Sequence, residues 1–166
     1  MPKSVEAQSG KPRQREAHDC LLYALHQPGQ DSSVEANGVI RLANRLRLRI
    51  CVLLVITEAP RSKRGTWLTD RIPLEPTAAE QLAKAWSAIE ALRAQAGFPP
   101  ETCFDVEFGC DYASCVRRRA AVHGTKIIVA SDRWLRGNDQ ETQALLESDV
   151  TPVVLLPTVR AGRALK

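Results

Sequence analysis

Blocks of apolar residues in this chain switch between strand and helix periods in a regular order. Cys20-Leu21-Leu22-Tyr23-Ala24-Leu25 is mostly apolar, of strand length and bounded by turn residues, as expected of a strand buried on both faces. Gln27-Pro28-Gly29-Gln30-Asp31 cannot continue it, and Ser32 followed by Glu35 is a capping-box pattern that opens a helix. Ala36, Val39, Ile40, Ala43 and Leu46 then recur at helical spacing, with Arg41 and Arg45 turned outward. Ile50 to Ile56 is a second continuous apolar strand, so the strand-helix-strand order predicts a parallel, right-handed crossover.

From Thr57 to Pro76 no period holds. Pro60, Pro73 and Pro76, basic residues and Trp67 mark a long loop, read either as a lid over the sheet edge or as a surface excursion pinned by Trp67 and Leu68. Thr77 with Glu80 is a second capping box, and Leu82, Ala85, Trp86, Ile89, Leu92 and Ala96 predict an amphipathic helix that Gly97 and Pro99-Pro100 terminate. Cys103 to Phe108 alternates strictly, which predicts an edge strand with one wetter face and its aromatics toward the second helix. Asp111 caps a third helix to about Val122, with Ala113, Val116, Ala120 and Ala121 inward and Arg117 to Arg119 on the outer surface. His123-Gly124 closes it, the histidine being read as a dipole contact at the helix end.

Lys126 to Ala130 is a short β-branched run that breaks into Ser131-Asp132-Arg133-Trp134-Leu135-Arg136-Gly137, the pattern of a central strand opening into a loop. Ligands in open parallel sheets bind beyond the carboxyl ends of the strands, so Ser131 to Asn138 lies where function is expected. A phosphate cradle needs glycines for close backbone approach, and this loop has only Gly137. Asn138 with Glu141 is a third capping box, for a helix to about Ser148, and Pro152 to Pro157 is the last strand.

The 166 residues suffice for one domain with a sizeable core. Residues 1–17 read as a flexible polar tail, 18–157 as the α/β domain and 158–166 as a short basic tail. Net charge is +4, with arginines clustered at Arg41, Arg45, Arg47 and Arg49 and again at Arg117, Arg118 and Arg119. Such clusters can attract anions, but solvated helix faces are the commoner meaning. Five scattered cysteines form an odd count without disulfide-framework spacing, which fits a reducing cytoplasm. No signal-peptide pattern opens the chain and no apolar run approaches the roughly 20 residues of a membrane span, so a cytoplasmic protein is expected.

Five strands alternating with four helices, the gap after the second strand, and Gly-Thr-Lys-Ile-Ile-Val-Ala-Ser running to Thr-Pro-Val-Val-Leu-Leu-Pro together resemble the universal stress protein family. The resemblance implies a doubly wound α/β fold: a five-stranded parallel sheet in the order 3-2-1-4-5 with helices on both faces. It also implies a homodimer joined through the last strand, residues 152–157.

ATP-binding members of that family carry an aspartate after strand one and a glycine motif after strand four. Here the aspartate position falls near His26, the first two glycines align with Ala130 and Arg133, and Asp139-Gln140 stands where Gly-Ser would be. A bulky Arg133 blocks backbone approach, and the Asp139 carboxylate repels a triphosphate. The resemblance therefore implies a non-catalytic regulatory or stress-response module without family-type ATP binding. An alternative is a rebuilt site for ATP, AMP or a cyclic nucleotide, with Ser131, Arg133, Arg136, Gly137 and Asn138 on phosphate and the strand-one exit at His26 on the base.

A second alternative is enzymatic. Gly29, Asp31 and Ser32 match part of the loop of PP-loop ATP pyrophosphatases, which consume nucleotide, although Pro28 removes an N–H donor where pyrophosphate would be wrapped. Cys103, Cys110, Cys115 and His123 lack zinc-site spacing, and the cysteines read as small buried residues, so no metal is expected. His18, His26 and His123 carry no triad signature, and without an aromatic-basic interleave nucleic acid is not expected as a partner. A protein partner is.

Overall fold

In the computed structural model residues 19–26, 32–57, 77–131, 135, 139–147 and 151–156 are described; the loop after the second strand, the tails and most of the segment after Ser131 lie outside them. The apolar runs become strands β1 (Cys20–Leu25), β2 (Arg49–Thr57), β3 (Cys103–Gly109), β4 (Thr125–Ser131) and β5 (Val153–Leu156). All neighbours pair in parallel, in the order β3-β2-β1-β4-β5, as expected. The helices between them are α1 (Ser32–Leu46), α2 (Ala78–Ala96), α3 (Tyr112–His123) and α4 (Asp139–Leu146).

Strand period divides the core. Leu21, Tyr23 and Leu25 pack with α1 and α2 through Ala36, Val39, Ala43, Ala85, Ile89, Leu92 and Ala96. Cys20, Leu22 and Ala24 face the other way, onto Tyr112, Ala113, Cys115, Val116 and Ala120 of α3 and Leu145 of α4. All six β1 side chains are buried, which is why this run carries no alternation. No described helix is long and apolar enough to cross a membrane.

The Thr77 capping box forms, with the Thr77 N–H on Glu80 Oε2 at 2.9 Å and the Glu80 N–H on Thr77 Oγ1 at 3.3 Å. Gly97 and Gly124 end α2 and α3 in the left-handed conformation that glycine adopts without steric cost. Four inward assignments are corrected. Leu46, Leu82, Trp86 and Ala121 lie exposed, because α1 and α2 meet the sheet through narrow stripes, Ala36, Val39 and Ala43 on one and Ala85, Ile89, Leu92 and Ala96 on the other, and the buried stripe of α3 runs through Val116 and Ala120 rather than Ala121. Tyr112 and Cys115, which the periodic reading passed over, are buried.

β3 is an edge strand, with Phe104 packed edge-to-face on Phe98 at 5.5 Å and beneath the Arg93 guanidinium. Its polar row is not wet, however. Glu107 is buried under α3, where it accepts from Arg118 Nε at 2.5 Å and Arg119 Nε at 2.6 Å, while Arg119 also reaches Asp105 at 2.9 Å. The Arg117 to Arg119 cluster is thus only partly a solvated face: two of its members clamp the edge strand.

Candidate functional site

Strand order reverses between β1 and β4, and the crevice at their carboxyl ends is where an open parallel sheet places a ligand. Three elements close on that point. Tyr23 comes from β1, Ser131 ends β4, and Glu35 sits in the first turn of α1. Glu35 spans the crevice: Oε2 accepts from the Tyr23 hydroxyl at 3.2 Å and Oε1 from Ser131 Oγ at 3.0 Å. Sequence spacing assigned Glu35 to a helix cap; its carboxylate also joins the two strands that flank the switch point. Burial, and then the adjoining Glu35 carboxylate, push the Tyr23 phenol far above its usual range, so it remains a donor.

His26 follows β1 directly. Its Nε2 lies 2.7 Å from Thr57 Oγ1 at the end of β2, and its ring stands edge-on to Tyr112 at 6.3 Å. Tyr112 opens α3 and donates to the Ala24 carbonyl at 2.9 Å, which ties the helix to the end of β1. Glu141 accepts from the Ala113 N–H at 3.0 Å and so caps α3, while Asn138, with which it was expected to cap its own helix, lies outside the described residues. Beside His26 and Thr57 a cleft of about 370 Å³ opens against α2, lined also by Leu54, Ile56, Gln81, Lys84, Ala85 and Ala88.

Of the expected nucleotide-binding set, His26, Ala130 and Ser131 are described. Ala130 is buried in the sheet with its side chain toward α3, while His26 and Ser131 do stand at the carboxyl edge. Arg133, Arg136, Gly137 and Asn138 lie outside the described residues. So do Gly29 and Asp31 of the enzymatic alternative, whose Ser32 begins α1 and is buried. Glu35, Tyr23, Tyr112 and Thr57 were not read as site residues. Only strand period could have flagged Tyr23, a hydroxyl inside a fully buried run, which needs a partner. Among the described residues no group of three or more His, Cys, Asp or Glu side chains is placed to hold a metal ion.

Burial holds the His26 imidazole below its ordinary range, with Glu141 acting in the opposite direction. The unfolded chain therefore takes up this proton first. The histidine leaves stability intact above about pH 6.5 and erodes it as pH falls from there through the lower folded value. His26→Asn is expected to flatten the fall of urea midpoints as pH is lowered below about 6.5. An identical pH slope in both proteins would show that His26 is not held neutral.

No protein-family model and no curated protein matches this sequence. Solved structures do match. A universal stress protein family member from Burkholderia pseudomallei superposes with a TM-score of 0.55 at 18% identity, covering 86% of this chain and 98% of its own. A universal stress protein from Archaeoglobus fulgidus, solved with dAMP, gives 0.55 at 11% identity over 84% of this chain and 98% of its own. A universal stress protein in complex with cAMP gives 0.59 at 7% identity, again over 84% and 98%. The fold is that of the universal stress proteins.

Proposed function

We propose that this universal-stress-protein fold serves as a non-catalytic regulatory module whose switch-point crevice is closed to triphosphates by its own Glu35. One observation carries the reading: the Ser131 hydroxyl, which a phosphate would need, is already given to a carboxylate at 3.0 Å. An incoming phosphate must displace that carboxylate or lie beside it, and two anions in a partly buried crevice repel strongly. The same carboxylate holds Tyr23, so moving it also strands a buried hydroxyl.

Thermal-shift titration with magnesium ATP, AMP and cAMP tests this, followed by calorimetry. The wild-type midpoint is expected to stay fixed with ATP, whereas Glu35→Gln, which keeps the shape and loses the charge, is expected to admit phosphate. A ligand at a hundred times its dissociation constant adds about 2.7 kcal/mol, or roughly 5–10 °C in a domain of this size. A shift of that order with ATP in the wild type overturns the closed-crevice reading.

The cleft favours a second reading. Two structural neighbours are complexes with dAMP and cAMP, which supports a reading in which the cleft takes an adenine nucleotide. A base beside His26 and Thr57, with Lys84 near the entrance, would use a site that does not require Ser131. Adenosine shifting the midpoint when ATP does not would support it.

A further inference from the structure

Cys51 and Cys103 face each other directly across β2 and β3, in register. Both project from the α3 side of the sheet, Cys51 within the core there and Cys103 two residues before Asp105, which α3 holds through Arg119. Neighbouring strands run about 4.8 Å apart, inside the window of about 4.4–6.8 Å that a disulfide requires between Cα atoms. One member is exposed and the other buried. Both sit toward the amino ends of their strands, on the opposite rim of the sheet from the crevice.

We propose that Cys51 and Cys103 form an oxidant-sensitive modification site, a dithiol that a hydroperoxide converts to an intramolecular disulfide by way of Cys103. The exposed sulfur reacts first: the Cys103 thiolate attacks a peroxide oxygen, the S–O bond forms, the O–O bond breaks, and hydroxide leaves to be protonated. Cys51 then attacks the Cys103 sulfenic sulfur, the S–O bond breaks, and the departing hydroxide takes the Cys51 proton as water. Two electrons pass from the thiol pair to one hydrogen peroxide, which ends as two waters. Cys51 is the resolving and not the attacking member, since burial and then the neighbouring Cys103 push its thiol up and leave little thiolate.

The other cysteines do not compete for that role. Cys20 Sγ lies 3.4 Å from Thr125 Oγ1 and 3.6 Å from the His123 carbonyl, and Cys115 Sγ is buried beneath α3 beside Arg118. Cys110 is exposed but lies beyond the carboxyl end of β3, at the other end of that strand from Cys103. A bond between directly opposed residues of adjacent strands is geometrically constrained, which makes it readily reducible and suits reversible use.

The test is made on the reduced full-length chain with stoichiometric hydrogen peroxide. Remaining thiols are alkylated, the protein is digested without reductant, and peptides are mapped by mass spectrometry. The expected result is a Cys51–Cys103 cross-linked peptide two hydrogens lighter than the thiol pair, from protein that remains a single chain on a non-reducing gel, with the free thiols restored by dithiothreitol. Cys51→Ser is expected to leave Cys103 as a sulfenic acid that dimedone traps. The wild-type map stands by itself should that variant fail to fold. Recovery of both cysteines as free thiols, of Cys103 as a sulfinic acid, or of Cys103 in an intermolecular disulfide with Cys51 unmodified overturns the proposal.

Discussion

Tyr112→Ala is expected to cost about 3–5 kcal/mol of folding stability, the range for emptying a fully buried aromatic position. Tyr112 is 2% exposed, packs on β1 in the α3 layer, and holds the end of that strand through its bond to the Ala24 carbonyl. Tyr112→Phe separates the two contributions. It keeps the ring and deletes the donor, and is expected to cost about 1–3 kcal/mol because a buried polar group is left short of a partner. Urea unfolding with an unchanged slope measures both. A neutral Phe variant would mean the hydroxyl is not what secures α3 to β1. The ring also stands edge-on to His26, so the Ala variant is expected to loosen that imidazole and reduce the pH dependence assigned to it.

Glu107→Ala is expected to cost about 2 kcal/mol, through a cavity and two lost charge-assisted hydrogen bonds. The loss falls short of that for breaking a fully buried ion pair, because Arg118 is 58% exposed and rehydrates once released. Arg119 keeps Asp105 as a partner at 2.9 Å. A double-mutant cycle between Glu107→Ala and Arg119→Ala, read from denaturant midpoints, is expected to show clear coupling. Simple additivity would place the Glu107 effect in the cavity alone.

Strand and helix period carried the fold. β1, β2 and β4 are continuous apolar runs because both of their faces are covered, and four intervening helical stretches with parallel crossovers leave few arrangements. Register and rotation were less legible. Leu82 and Trp86 satisfy a helical stripe as well as Ala85 and Ile89 do, and only the actual packing angle of α2 decides which are covered. Strict alternation in β3 showed that one row was polar; it could not show that Arg118 and Arg119, 11 and 12 residues beyond Glu107, would roof that row.

The candidate site was legible as a place in the fold and not in the side chains that meet there. Ser131 and His26 follow from where strands end, and both stand at the carboxyl edge. Glu35 was hidden because a glutamate three residues after a serine fits a local cap so well that spacing gives no reason to send it elsewhere. Its bond to Ser131 joins residues 96 apart in the chain, a distance at which local pattern carries no information.

The clamped carboxylates of β3 have a bearing on how the protein behaves in a crowded solution. An outermost strand of seven residues offers a template on which a foreign segment could add and start an aggregate. Any such segment would set its side chains beside the anionic row of Asp105 and Glu107, whose charges are matched by a helix of this chain and by nothing the newcomer brings. An apolar, fibril-prone sequence is the worst match for that row, and one with a cation in register the best. The ion pairs that anchor the edge strand thus also act as a sorting rule against uncontrolled growth of the sheet.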